Sequence, residues 1–178
     1  MDFKFTAQEE QFRQQVQEFF LQEEKDVRGA REEWDSGQGF GSHSWAIIKK
    51  IGVKGWLCPT WPQKYGGLEL SFIYRYIIME QMHHFLNWFS TVGAGMAGPV
   101  ILNRGSEAQK NNYLPRIAGG EIEFALGYTE PDAGSDMASL AIDADDKGDH
   151  FIISGSGMTS TSSRSPGAMD DSIQVSWK

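Results

Sequence analysis

FALGYTEPDAGSDMASL, residues 124–140, decides more about the fold than any other segment of this chain. Its first five residues form an apolar run of the length expected for a β-strand. The run then meets Pro131 and a loop rich in Asp, Gly and Ser, where backbone N–H groups have no ladder partner. Such groups can bind anionic oxygens or the polar edge of a planar ring. The segment predicts a strand followed by a ligand-binding loop, and the simpler alternative is a surface turn.

Hydrophobic residues at helical spacing dominate the sequence before this segment. Thr6 with Glu9 and Ser106 with Gln109 have the form of capping boxes. The predicted helices span residues 6 to about 24, start at 42 or 44, and span 71 (capped by Ser71) to about 89, 99–102, and 106 to about 114. Residues 24–41 are predicted to form a charged, glycine-containing linker.

After Gly120 the hydrophobic period changes to that of strands. Strands are predicted at residues 124–128, 140–144 and 151–154, with a hairpin turn at 146–149. The isolated Val175 is predicted to form no element. The predicted fold class is α+β, with an N-terminal all-α helical domain at 1–121, the start of a truncated antiparallel β domain at 122–156, and a divergent, disordered tail at 157–178.

The run from Tyr128 to Asp136 closely resembles the flavin loop of the acyl-CoA dehydrogenase family. Residues 60–67, TWPQKYGG, and 105–110, GSEAQK, resemble the same family. The resemblance implies an N-terminal helical domain, a middle β domain and a C-terminal four-helix domain. It covers most of this chain and less than half of the usual family polypeptide.

The resemblance implies α,β-dehydrogenation of acyl-CoA thioesters with FAD as the cofactor, in fatty acid and lipid metabolism. A carboxylate takes the α-proton while the flavin takes the β-hydrogen as hydride. By resemblance, the FAD-binding residues are Leu126, Tyr128, Thr129, Gly134, Ser135, Thr159 and Thr161. Ser135 is also expected near the CoA part of the substrate.

The sequence departs from the family after residue 156, where Thr159 replaces an expected aromatic residue. The family's usual catalytic base is a glutamate of the C-terminal domain, so no catalytic residue is assigned. The chain by itself is therefore expected to be inactive. Glu130, which precedes Pro131, is expected to hold the loop. The sequence leaves open a truncated, frame-shifted or partial reading. It also leaves open a non-catalytic binding or interaction module, and a related acyl-CoA oxidase.

The composition limits which classes of binding partner are expected. The net charge of −8 argues against nonspecific nucleic-acid binding, and no apolar run reaches the length of a membrane span. The lone Cys58 is expected to be a packing residue, and no metal site is predicted at His83 and His84. The glycines of residues 93–98, GAGMAG, fit the letter of a dinucleotide fingerprint but lack a preceding strand, so they are expected to allow close helix approach or leave space for an acyl chain.

A cytoplasmic location is expected because no signal-peptide profile precedes the first helix. The resemblance implies electron-transfer flavoprotein or a similar acceptor as a partner, and a homo- or hetero-oligomer.

Overall fold

The computed structural model describes residues 4–37, 40–88, 91–124, 130, 132–148, 150–154 and 172–176. The chain divides into two compact units, Met1–Phe124 and Ala125–Lys178. The described part of the first unit is helical, and the strands all lie in the second.

The first unit confirms the predicted mostly helical N-terminal half. Its α-helices are α1 Ala7–Gln22, α2 Glu24–Asp35, α3 Ser42–Val53, α4 Phe72–Leu86, α5 Gly98–Arg104 and α6 Glu107–Ala118. A 3₁₀ turn spans Gln63–Tyr65, and a π-helical turn spans Gly93–Ala97 immediately before α5. Among the described residues before Gly93 there is no strand, so these glycines do not follow a strand as a dinucleotide-binding fingerprint would require.

Both capping boxes are confirmed. The Thr6 hydroxyl accepts from the Glu9 N–H at 3.2 Å, and the Glu9 carboxylate accepts from the Thr6 N–H at 2.7 Å. Ser106 and Gln109 form the same pair at 3.2 and 2.9 Å. These bonds satisfy N–H groups that have no partner inside the helix.

The predicted boundaries of α4 are partly wrong. Ser71 occupies the N-cap position, but its side chain makes no capping hydrogen bond. The helix ends at Leu86 rather than near residue 89, because Asn87 adopts a left-handed conformation with φ of 61°. Asparagine tolerates this conformation better than most residues and commonly terminates helices.

The predicted linker at residues 24–41 is wrong over most of its length, because Glu24–Asp35 forms α2. Its Val27 and Ala30 are buried, as expected for a helix with one apolar face. Gly29 does not break this helix. A Cβ at Gly29 would lie 2.3 Å from the ring of His43 on α3, so glycine permits the close approach of the two helices.

Two groups of buried side chains stabilise the first unit. One joins α1, α2, α3 and α4 and includes Phe20, Ile47, Ile51, Ile78 and Leu86. The other joins the segment before α4 to α5 and α6 and includes Trp61, Tyr65, Leu114, Ile117 and Ala118. Each fully buried large apolar side chain contributes about 2 kcal/mol of transfer free energy.

The second unit contains β1 Asp143–Asp146, β2 His150–Ser154 and β3 Ser172–Ser176, in the order β1-β2-β3. Both pairs are antiparallel, with Asp143 opposite Ser154 and Ile153 opposite Ile173. The predicted hairpin between the first two strands is confirmed, and Gly148 in its turn has a φ of 91°. Val175 lies within β3, so the prediction that it forms no element is wrong. β3, which contains Val175, pairs with the backbone groups along the edge of β2 that is not paired with β1.

The first of these strands begins three residues later than predicted at residue 140. The N–H groups of Ala141 and Ile142 donate to the carboxylate of Glu130, at 2.8 and 2.6 Å. Because both donors are engaged by a side chain, the ladder begins only at Asp143. The run at residues 125–128 lies outside the described residues, so its prediction as a strand stays untested.

Candidate functional site

The loop at residues 130–139 is held from its first residue. Glu130 is only 8% exposed, and its two carboxylate oxygens accept the N–H groups of Ala141 and Ile142. Its backbone also exchanges hydrogen bonds with Ala133 at 3.0 and 3.2 Å, and Ala133 is itself buried. The expectation that Glu130 holds the loop is confirmed. A carboxylate with both oxygens occupied in this way is poorly placed to act as a general base.

Asp136 organises the other end of the loop. Its carboxylate accepts the N–H of Ala138 at 3.2 Å, and its carbonyl accepts the hydroxyl of Ser139 at 2.8 Å. These bonds start the 3₁₀ turn Met137–Ser139. Short side chains bonding to nearby backbone groups are the usual way in which Asp and Ser fix turns.

Gly134 and Ser135 lie between these two fixed ends and are both exposed. Within the described part of the chain, neither of their N–H groups makes a hydrogen bond. A Cβ built on Gly134 would meet nothing within 4 Å. The loop thus presents open backbone at the two positions predicted to approach the flavin and CoA, and such backbone can donate to anionic oxygens.

Five of the predicted site residues lie outside the described residues: Leu126, Tyr128, Thr129, Thr159 and Thr161. Their assignment to FAD stays a prediction.

In the helical unit, Glu123 links two segments that are distant in sequence. Its carboxylate accepts the N–H of Gly93, at the start of the π-helical turn, and the N–H of Phe124 at 2.8 Å. Thr91 supports the same turn by accepting the N–H of Ala94 at 3.2 Å. The first residue of this turn is therefore hydrogen-bonded to Glu123, which immediately precedes the predicted strand at residues 124–128. Glu123 was not predicted as a functional residue, although a carboxylate between the apolar Ile122 and Phe124 is a usable signal.

The glycines of residues 93–98 allow close packing, which confirms the first of the two expectations drawn for them from the sequence. A Cβ on Gly98 would lie 2.2 Å from the indole of Trp61, and one on Gly93 would lie 3.1 Å from Glu123. A π-helical turn is rare and is found disproportionately at functional sites. Its presence makes the Gly93–Ala97 segment a second candidate functional segment, within the first unit.

Cys58 is a packing residue, as the sequence predicted. It is 2% exposed within the second core cluster. Burial raises the pKa of its thiol, an effect reduced by the nearby Arg75 and reinforced by Glu123. A thiol held protonated in this way is a poor nucleophile.

Removing the Glu130 carboxylate is expected to free the Ala141 and Ile142 amides. In Glu130→Ala, hydrogen exchange at these two amides should accelerate by about tenfold or more, because each loses a charge-assisted hydrogen bond. Glu130→Gln should give an intermediate increase. Asp132→Ala is the matched control, since Asp132 is exposed and two residues away. Equal exchange in Glu130→Ala and the unsubstituted chain would show that the carboxylate does not hold the loop.

Comparison with known proteins places the helical unit in a family. Residues 6–121 match the model of the acyl-CoA dehydrogenase N-terminal domain. Acyl-CoA dehydrogenase FadE29 of Mycobacterium tuberculosis is 41% identical over 110 residues, covering 62% of this chain and 28% of the relative. Acyl-CoA dehydrogenase FadE26 of the same organism is 32% identical over 161 residues, covering 89% of this chain and 40% of the relative. The chain belongs to the acyl-CoA dehydrogenase family.

Solved structures share the fold. The Tcur3481–Tcur3483 steroid ACAD has a TM-score of 0.72 at 34% identity, over 87% of this chain and 40% of that one. The ChsE4–ChsE5 complex from Mycobacterium tuberculosis has a TM-score of 0.71 at 28% identity, over 87% and 39%. An acyl-CoA dehydrogenase from Bacillus anthracis, complexed with FAD, has a TM-score of 0.64 at 26% identity, over 85% and 26%.

The chain spans 28% and 40% of the lengths of the two curated relatives. Among the described helices, none combines the length and apolarity needed to cross a membrane.

Proposed function

We propose that this chain forms the N-terminal helical domain, residues 1–121, and the first part of the middle β domain, residues 122–156, of an FAD-dependent acyl-CoA dehydrogenase. The observation that carries the proposal is the loop fixed by Glu130 and Asp136, with open backbone at Gly134 and Ser135 between them. In this proposal the antiparallel strands β1 and β2 belong to the start of that β domain.

Within this proposal the loop supplies hydrogen-bond donors to FAD, and the substrate is an acyl-CoA thioester. FAD accepts hydride from the β-carbon when bound, while the protein orients the acyl chain and polarises the thioester carbonyl. Fixed backbone donors suit this role because they need no reorganisation when charge develops on the ligand. Leu126, Tyr128, Thr129, Thr159 and Thr161 complete the flavin-contacting set.

The proposed partners follow from the family. An electron-transfer flavoprotein or similar acceptor reoxidises the flavin, and the complete assembly is a homo- or hetero-oligomer. The similarity to the ChsE4–ChsE5 complex supports an assembly of more than one chain.

The test uses a substitution that should leave the fold unchanged and obstruct the binding of FAD. Gly134 has ordinary backbone geometry, and its Cβ would meet nothing within 4 Å, so Gly134→Val should leave the melting temperature unchanged. It should nevertheless weaken FAD binding by about tenfold or more, because a side chain then stands where the ligand meets the backbone. FAD fluorescence and the visible spectrum of the purified protein measure this.

Ala138→Val is the control, since Ala138 is exposed in the same loop. Equal FAD affinity in Gly134→Val and the unsubstituted chain would remove the loop from the flavin site. A colourless protein that does not bind added FAD would favour the second candidate, a non-catalytic binding or interaction module with this fold. The departure at Thr159 from the expected aromatic residue is the observation that favours that candidate.

A further inference from the structure

Glu123 holds the start of a helical segment that lies thirty residues away in sequence. Residues 92–104 are continuously helical and include the π-helical turn and α5. The first N–H groups of a helix have no partner within it. Thr91 accepts two of them, one through its hydroxyl at 3.2 Å and one through its carbonyl at 2.9 Å. The carboxylate of Glu123 accepts that of Gly93, and the helix dipole favours a carboxylate at this end.

The same carboxylate oxygen also holds the backbone of Phe124. Oε1 of Glu123 accepts the N–H of Gly93 and, at 2.8 Å, the N–H of Phe124. The ring of Phe124 meets that of Tyr113 on α6 edge to face, with the ring centroids 6.2 Å apart. A Cβ on Gly93 would lie 3.1 Å from Oε1 and 3.5 Å from the Phe124 ring, so glycine lets these groups approach. Phe124 is therefore fixed through both its backbone and its side chain.

Phe124 is the first residue of the predicted strand at residues 124–128. Leu126 and Tyr128, which are both proposed to contact FAD, follow it by two and four positions. Alternate residues of a β-strand point to the same face, and a slip by one residue exchanges the two faces. The residue at which the strand begins must therefore be held in place if these two positions are to face the ligand.

We propose that Glu123 is a positioning residue for FAD, an inference that rests on the proposed function. By fixing Phe124 to the start of the helical residues 92–104, the carboxylate sets where the flavin-contacting strand begins. Both of its hydrogen bonds go to backbone N–H groups of the protein. The reach of its acceptor oxygen is therefore what matters for FAD, and its charge matters less.

Three substitutions of Glu123 in the 178-residue chain separate reach from charge, with FAD affinity measured by fluorescence and the visible spectrum. Glu123→Ala removes the acceptor and should weaken FAD binding by about tenfold or more, the effect of one or more lost hydrogen bonds. Glu123→Asp keeps the charge but is one methylene shorter, so it should weaken binding to a similar extent. Glu123→Gln keeps an oxygen at the same reach and should bind FAD within about threefold of the unsubstituted chain.

Glu33→Ala is the matched control for a general loss of stability. Glu33 also accepts backbone N–H groups at the start of a helix, but that helix is α3. The variant should bind FAD as the unsubstituted chain does, at a temperature at which circular dichroism shows both to be folded. Ser106→Ala, which loses the capping box of α6, takes its place if Glu33→Ala does not fold. The Asp and Gln variants decide the question if Glu123→Ala does not fold.

Unchanged FAD affinity in Glu123→Ala and Glu123→Asp would overturn the positioning role while leaving the proposed function intact. Equal weakening in the control variant would also overturn it, because FAD binding would then follow stability alone. A loss in Glu123→Gln that equals or exceeds the loss in Glu123→Asp would overturn it as well, since charge would then matter at least as much as reach.

If the unsubstituted chain does not bind FAD, the proposed function fails, and hydrogen exchange then decides the role of Glu123. Faster exchange in Glu123→Asp at Leu126 and Tyr128, as well as at Phe124, would support the positioning role. A change confined to the bonded amides of Gly93 and Phe124, or no change at all, would overturn it, because the effect would not extend to the residues proposed to contact FAD.

Discussion

Replacing Glu33 with alanine is expected to lower the free energy of unfolding by about 3 kcal/mol or more. Glu33 is 9% exposed, and its carboxylate accepts four hydrogen bonds at the start of α3. The donors are the N–H groups of Gly41, His43 and Ser44 and the Ser44 hydroxyl, at 2.7 to 3.1 Å. Truncation to alanine leaves all four donors without this acceptor, and the two donors of Ser44 are buried.

The loss should lower the melting temperature by roughly 10 °C, measured by circular dichroism. Glu32→Ala is the control, since Glu32 is the exposed neighbour on the same helix and should change stability by less than about 0.5 kcal/mol. A Glu33→Ala variant as stable as Glu32→Ala would show that the helix start is satisfied without the carboxylate.

Glu33 also predicts how stability depends on pH. Burial pushes its pKa upward, but the hydrogen bonds from Ser44, His43 and Gly41 outweigh burial and hold the pKa below its usual value. The stabilisation is therefore complete above the pKa of the unfolded state, about 4.3, and is lost as the pH falls through the lower folded-state value. Asp26, whose pKa is lowered by Lys50 and His43, acts in the same direction. The acid-side loss should be smaller in Glu33→Ala than in the unsubstituted chain.

A polypeptide limited to these 178 residues is expected to show no acyl-CoA dehydrogenase turnover. It corresponds to 40% of the length of FadE26. The family resemblance implies that the usual base is a glutamate of a C-terminal domain. Glu130, a carboxylate within the predicted flavin loop, is engaged by the N–H groups of Ala141 and Ile142. Positioning and electrostatic stabilisation act jointly in such sites. The loss of several parts of the site together therefore lowers the reaction rate far more than a single substitution does.

The assay follows anaerobic bleaching of added FAD by saturated acyl-CoA thioesters of several chain lengths, with an electron acceptor in a parallel turnover experiment. A full-length acyl-CoA dehydrogenase run beside it is the positive control. Turnover that persists after contaminating enzyme is excluded would contradict the prediction and require a base within these residues. Glu130→Gln would then be the first variant to examine.

Local patterns in the sequence were sufficient for much of the helical unit. The capping boxes at Thr6 and Ser106 were predicted because each joins residues three positions apart, and both occur as expected. The π-helical turn before α5 was not predicted, because its hydrogen bonds depend on how Gly93 and Gly98 meet Glu123 and Trp61. α2 was missed because glycine is a poor helix former when it is considered alone. The reason for Gly29 is the ring of His43, which only packing reveals.

The sequence by itself determined the change from helical to strand period and the family resemblance of residues 128–136, because both depend on neighbours close along the chain. Only the tertiary structure decided what the carboxylates do. Glu33 meets Ser44 eleven residues away, Glu130 meets Ile142 twelve away, and Glu123 meets Gly93 thirty away. A residue pattern carries no record of which distant N–H group a buried carboxylate must satisfy, and that pairing is set when the chain folds and excludes water.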